Sequence, residues 1–123
     1  EGLVAAFSDP VAGVRAALYL QSDLDSSSIT RNLKIRVGIH RGPAMVATVN
    51  DHLDYFGTTA NTALQLPQFA GSGELVMTET VAGDQAVATF LGSRSADIQV
   101  FELDWGGSSP KFGHRIQLPG RCG

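Results

Sequence analysis

Residues 33–40 alternate strictly between apolar and polar or glycine positions, and no other feature constrains the fold as much. Leu33, Ile35, Val37 and Ile39 lie on one face of the strand that this period-two pattern predicts. A strand with one apolar face needs a second layer to cover that face. The pattern therefore predicts a sheet with other elements packed against it.

The segments before this strand predict a short strand followed by a helix. Leu3–Phe7 is a continuous apolar run, which is typical of a short buried strand. Ser8-Asp9-Pro10 then offers two capping side chains and a proline suited to the first helical position. The polar stretch Ser22–Asn32 predicts a loop that ends this helix.

The segments after it predict a hairpin and a second helix. Arg41-Gly42-Pro43 is a turn signal, and Ala44–Val49 is expected to return as the partner of the alternating strand. Gly57-Thr58-Thr59 opens a helix that one of the threonines caps, and Pro67 ends or kinks it.

The last third of the chain predicts a strand, a short helix and a hairpin. Glu74–Met77 is the strand, and Thr78 is expected to cap a helix that runs to about Val87. Ile98–Leu103 and Phe112–Leu118 are two further strands. The order of elements predicts an α+β domain with a mixed or antiparallel sheet.

Composition excludes several classes of protein. The 123 residues are one domain or part of one, and 43% of them are hydrophobic, so the chain is not disordered. The formal net charge of −3 argues against a nucleic-acid binder, and no apolar run is long enough to span a bilayer. Cys122 stands alone and makes no internal disulfide.

Several catalytic motifs are absent. The sequence has no phosphate-binding loop, no dinucleotide-binding glycine pattern and no Gly-x-Ser-x-Gly elbow. His40, His52 and His114 are widely spaced and lack the helical pairing of a zinc protease. The chemistry must therefore be sought in the long segment between residues 33 and 66.

That segment, LKIRVGIHRGPAMVATVNDHLDYFGTTANTALQL, closely resembles the class III adenylyl/guanylyl cyclase catalytic domain. The family has an Arg-x-Gly-Ile-His-x-Gly-Pro pattern and then a Gly-x-Thr-Val-Asn-x-Ala-x-Arg helix, and Ala60 stands where Val is usual. The matching positions are Arg36, Gly38, Ile39, His40, Gly42, Pro43, Tyr55, Gly57, Thr59, Asn61 and Ala63.

The resemblance implies a partial catalytic domain over residues 1–123. It is clear over residues 1–101 and weak over the C-terminal hairpin, 102–123. The implied fold is α+β, a ferredoxin-like cyclase sandwich that lacks the first strand and helix of the family. The implied active site lies between two catalytic domains, so a second cyclase domain is the expected partner, as a homodimer or a heterodimer.

The resemblance also assigns roles to individual residues. Asn61 matches the asparagine that orients the ribose, and an amide suits this role because it both donates and accepts hydrogen bonds. Asp54 matches the purine-selecting position, and Tyr55 beside it is assigned to the substrate contacts. Gln65 matches the transition-state arginine, one helical turn after Asn61, but carries no charge.

The metal half of the implied site is poorly matched. The family uses two divalent cations, Mg²⁺ or Mn²⁺, held by two aspartates. The first aspartate is expected upstream of residue 1, and Glu1 aligns with the second. A terminal, solvated carboxylate is the simpler interpretation of Glu1, so binding of the cations by this chain is doubtful.

Three hypotheses follow. The first is a cytoplasmic cyclase fragment of the adenylate type, converting ATP (or GTP) to the cyclic nucleotide and pyrophosphate, and weak or inactive alone. The second is a degenerate cyclase-like domain that acts as a nucleotide-binding, dimerisation or regulatory module. The third is a truncated remnant without a role.

Overall fold

A computed structural model describes residues 5–42, 45–49, 52–94, 97–103 and 111–118, and for residues 45–49 and 52–56 it describes the backbone. In chain order the elements are α1 (Pro10–Ser26), β1 (Arg36–Ile39), β2 (Met45–Val49), β3 (His52–Phe56), α2 (Thr58–Gln65), a 3₁₀ helix (Leu66–Phe69), β4 (Glu74–Thr78), α3 (Glu79–Ala82), α4 (Gln85–Ser93), β5 (Gln99–Leu103) and β6 (Lys111–Gln117).

Helix α1 begins where the sequence predicts. The Asp9 side chain accepts a hydrogen bond from the backbone N–H of Ala12 at 2.9 Å, and Pro10 occupies the first turn. The strand predicted over Leu3–Phe7 is wrong for its described part, because residues 5–7 form no strand and are exposed. Residues 3 and 4 lie outside the described residues.

The helix continues past Ser22 to Ser26, so the predicted loop begins too early. Two polar residues of the last turns are buried. The amide of Gln21 donates to Asp25 and to the carbonyl of Leu33, and accepts from the backbone N–H of Ile35. These hydrogen bonds tie the end of α1 to the chain that enters β1, which accounts for the extra helical turn.

The main sheet has four strands in the order β1-β4-β6-β5. Strands β1 and β4 are parallel, while β6 is antiparallel to both β4 and β5. The strand at Glu74 and the late hairpin are therefore confirmed, with shifts of one residue at their ends. The loop around residues 106–110 lies outside the described residues.

The predicted hairpin between the alternating strand and Ala44–Val49 is wrong. Strand β2 pairs instead with β3 in a separate antiparallel sheet, with Val49 opposite His52. Strand β1 pairs with β4 in the main sheet, which places Val37 beside Leu75. Local turn signals cannot distinguish these pairings, since both satisfy the same alternating pattern.

The helix predicted from Thr78 to about Val87 is two helices, α3 and α4, with a break at Gly83 and Asp84. Asp84 caps α4, because its carboxylate accepts from the backbone N–H groups of Ala86 and Val87 at 3.0 and 3.2 Å. Thr78 makes no capping hydrogen bond.

Helices pack on both faces of the main sheet, while Val100 in β5 and Phe112 in β6 remain exposed. Helices α1, α3 and α4 lie on one face, and the 3₁₀ helix lies on the other, which confirms an α+β architecture with a mixed sheet. The larger cluster contains Val14, Ala17, Leu18, Leu75, Met77, Val81, Val87, Leu91, Ile116 and Leu118. The smaller cluster contains Leu66, Ala70, Val76 and Leu103.

The absence of a side chain at Gly38 allows the 3₁₀ helix to contact β1. A Cβ atom added there would overlap the Cβ of Leu66 and lie 2.9 Å from Cδ of Pro67. We expect Gly38→Ala to lower the free energy of unfolding by about 1–3 kcal/mol, measured by urea denaturation, because the helix would have to move.

Gly92→Ala in α4 is the matched control. A Cβ atom there has no neighbour within 4 Å, so this variant should be unchanged or up to about 1 kcal/mol more stable. Equal stabilities of the two variants would contradict the proposed contact at Gly38.

Candidate functional site

Helix α2 presents the two candidate catalytic side chains on one surface. Asn61 and Gln65 are both exposed and stand four residues apart, hence about one turn from each other on the same side of the helix. Ala60, which precedes Asn61, is buried and lies about 100° around the helix axis from it. The helix is therefore positioned with an amide pair directed away from the core.

The beginning of α2 depends on backbone geometry rather than on a side-chain cap. The predicted threonine cap is wrong, because the capping residue is Gly57 and no side chain there makes a capping hydrogen bond. Gly57 has a φ of 111°, which favours glycine. Its carbonyl accepts from the backbone N–H of Asn61 at 3.0 Å, so the glycine directly orients the turn that carries this residue.

The loop after β1 contacts the same end of α2. Gly42 lies so close to Thr59 that an added Cβ would be 2.5 Å from the threonine Oγ1. Both residues belong to the segment identified from the sequence. Their shared role in the structure is to let the loop and the helix meet, which explains part of the pattern by packing alone.

His40 connects that loop to the end of β4. Its Nδ1 shares a hydrogen bond of 2.7 Å with Oγ1 of Thr78, whose hydroxyl lies 3.0 Å from that of Thr80. Burial lowers the pKa of His40, because the charged imidazolium loses solvation in its partly buried position. Neutral His40 thus serves as a structural hydrogen-bonding group.

An ion pair on the protein surface also connects this loop to α4. The guanidinium of Arg41 lies 3.2 Å from the carboxylate of Asp84, the residue that caps α4. The carbonyl of Arg41 is 3.5 Å from the Thr80 hydroxyl. These partners could not be predicted, since Thr78 and Asp84 are far from the loop along the chain and no local pattern links them to it.

The remaining candidates are placed only by their backbone or not at all. Asp54 and Tyr55 lie in β3, opposite Ala47 and Val46 respectively. Glu1 lies outside the described residues, so its assignment to a metal remains a prediction. Within the described ranges no three Asp, Glu, His or Cys side chains come together as a set that could hold a metal ion.

Comparison with known proteins identifies the family of this chain. The model of the adenylate and guanylate cyclase catalytic domain matches residues 9–100, and the chain therefore belongs to this family. The family typically uses divalent metal ions and a nucleotide substrate. No curated protein matches the sequence.

Two solved structures match this chain, both of adenylate cyclases from Trypanosoma brucei in their monomeric state, and the first of them shows the likeness of fold. The first has 18% sequence identity and a TM-score of 0.53, over 90% of this chain and 56% of that one. The second has 18% identity and a TM-score of 0.47, over 90% of this chain and 55% of that one. The chain thus spans little more than half the length of these cyclases.

No helix in the described part of the chain is both long and apolar enough to cross a membrane.

The lowered pKa of His40 predicts a pH dependence of stability. The imidazole has a pKa of 6.5 in the unfolded chain and a lower one in the folded protein. As pH falls below 6.5 the unfolded chain binds the proton first, so stability is lost as pH falls through the folded pKa.

Urea denaturation at several values from about pH 8 to about pH 5 measures this effect. We expect the free energy of unfolding of the natural chain to fall more steeply with acidification than that of His40→Gln. Parallel curves for the two proteins would show that His40 does not titrate differently on folding.

Proposed function

We propose that this chain supplies the nucleotide-contacting half of an adenylate-type class III cyclase site in the cytoplasm, and that a second cyclase domain, in a homodimer or a heterodimer, completes the site. The observation that carries the proposal is the exposed pair Asn61 and Gln65, held one turn apart on a helix anchored at both ends. Within the family pattern these positions contact ribose and phosphate.

Each residue has a defined part in the proposed reaction. The ATP ribose 3′-hydroxyl attacks the α-phosphate, and pyrophosphate leaves. The Asn61 amide holds the ribose by donating and accepting hydrogen bonds. Asp54 accepts from the adenine amino group, which favours ATP over GTP, and Tyr55 lies beside it in β3.

Gln65 would donate N–H groups to the α-phosphate as charge builds there. Its amide is neutral, whereas the guanidinium usual at this position offers a charged fork of donors. Loss of one preorganised transition-state donor costs about 3–4 kcal/mol, or about 10²–10³ in rate. We therefore expect the chain alone to be inactive or very slow.

Metal ions are assigned to the complementary domain. No three metal-ligating side chains come together among the described residues, and Glu1, the position matched to a metal aspartate, lies outside them. No step of the proposed reaction is therefore assigned to a cation bound here. From the family match over residues 9–100 we also propose that the sheet is the ferredoxin-like sheet of the family.

The neutral side chain at position 65 also favours a second candidate function. A domain that retains the ribose contact but lacks the cationic donor is suited to binding a nucleotide without turning it over rapidly. Such a domain would act as a nucleotide-binding or dimerisation and regulatory module. Restoring the charge at this position distinguishes the two functions.

Gln65→Arg should raise cyclic AMP formation. The assay mixes this chain with a class III cyclase domain that retains both metal-binding aspartates but has lost its own transition-state arginine. With ATP and Mn²⁺ we expect an increase of up to about 10²–10³ in rate over the natural chain.

Leu64→Arg is the control. It adds the same charge to the same helix at an exposed position about 100° around the axis, and should leave the rate unchanged. If neither variant raises the rate while ATP still binds, the module is the better description. If the natural chain binds neither ATP nor the partner domain, both functions are wrong.

Asn61→Ala should weaken ATP binding in the same mixture, because the ribose would lose its hydrogen-bonding partner. We expect about a tenfold loss of affinity, equivalent to one or two hydrogen bonds. Asn32→Ala, at an exposed turn residue, is the matched control. Equal ATP affinities of the two variants would remove Asn61 from the site.

A further inference from the structure

A second surface lies on the opposite face of the main sheet from the 3₁₀ helix. It is a shallow depression between α1 and α4 that is largely open to solvent. Val11 and Arg15 line it from α1, and Ala86 and Phe90 line it from α4. Each pair is spaced by four residues, so each forms a row along its helix. We call this surface the α1–α4 groove.

Two arginines converge on one aromatic ring at this groove. The guanidinium carbon of Arg15 lies 5.2 Å from the centre of the Phe90 ring, and that of Arg94 lies 5.5 Å from it. The two cations are therefore no more than about 11 Å apart. Stacking on a ring holds a guanidinium in place but leaves its N–H groups free to bind an anion.

Neither of these arginines has a carboxylate at ion-pair distance among the described residues. Lys34, Arg41 and Arg115 each have one, at 3.2, 3.2 and 3.3 Å. In a chain with a formal net charge of −3, two unpaired cations that share one ring form a local basic site. Such a site is complementary to an acidic ligand.

The carboxylates that cap the two helices are engaged elsewhere. Asp9 caps α1 through the backbone N–H of Ala12, and Asp84 caps α4 and pairs with Arg41. Each carboxylate is thus engaged at a helix N-terminus. The positive charges of the Arg15 and Arg94 guanidinium groups, which lie over the Phe90 ring, therefore remain available to an external ligand.

We propose that the α1–α4 groove binds an acidic peptide segment of a partner protein. Arg15 and Arg94 pair with two of its carboxylates, and an apolar side chain between them contacts Phe90 and Val11. Residues 85–93 extend for about 12 Å along α4, which matches three to four residues of extended peptide at about 3.3 Å each. The proposal is independent of cyclase activity.

Fluorescence anisotropy tests the proposal with a fluorescein-labelled hexapeptide of alternating Glu and Leu. The natural chain should bind this peptide, and more weakly as salt is added. The double variant Arg15→Ala/Arg94→Ala should lose about tenfold in affinity, since two exposed ion pairs contribute about 1–2 kcal/mol together. Both side chains are exposed, so the variant should fold, which circular dichroism checks.

Two controls make the result specific. Arg31→Ala removes an exposed arginine elsewhere and should leave the affinity unchanged. The charge-reversed variant Arg15→Glu/Arg94→Glu should instead prefer the matched hexapeptide of Lys and Leu. Peptide binding that survives the double alanine variant, or falls equally in Arg31→Ala, would overturn the proposal.

A competition arm separates peptide from phosphate. Pyrophosphate, ATP or unlabelled Glu-Leu peptide is added to the complex with the labelled peptide. We expect the unlabelled peptide to displace the labelled one at concentrations where pyrophosphate and ATP do not. Displacement by pyrophosphate at lower concentrations than by free peptide would overturn the proposal in favour of a phosphate site. No detectable binding of either ligand would overturn it entirely.

Discussion

The close approach of the 3₁₀ helix to strand β1 is the constraint on which the rest of the candidate site depends. At Gly38 there is no side chain between the strand and Leu66, which is fully buried. The 3₁₀ helix follows α2 directly, so this contact sets where α2 ends. The contact between Gly42 and Thr59 fixes the position of its first turn against the loop after β1. The exposed face of α2 is the consequence of both contacts.

Much of the family pattern is therefore structural. Gly38 and Gly42 provide room, and His40 provides a hydrogen bond that joins the loop to β4. The residues assigned to the nucleotide are different ones, and Asn61 and Gln65 among them face solvent. A chain can keep the scaffold and still alter the chemistry, as we propose for the neutral Gln65. Family membership and catalytic rate are for this reason separate properties.

Features that depend on neighbouring residues were predictable. The start of α1 at Asp9 and Pro10, the strand at Glu74 and the late hairpin each follow from capping chemistry or period-two alternation. The spacing of Asn61 and Gln65 on one helix was predictable for the same reason. The assignment of the cyclase family also came from the order and spacing of residues, and the match over residues 9–100 confirms it.

Tertiary contacts decided the rest. The polar end of α1 stays helical because Gln21 finds buried partners in the chain before β1, and β1 pairs with β4 rather than with the next strand. The sequence alone determined the start of α1, the strands β1, β4, β5 and β6, and the family, because periodicity and caps act within a few residues. Strand partners, the hydrogen bond of His40 and the convergence of Arg15 and Arg94 on Phe90 join residues distant along the chain, so only packing of the whole domain establishes them.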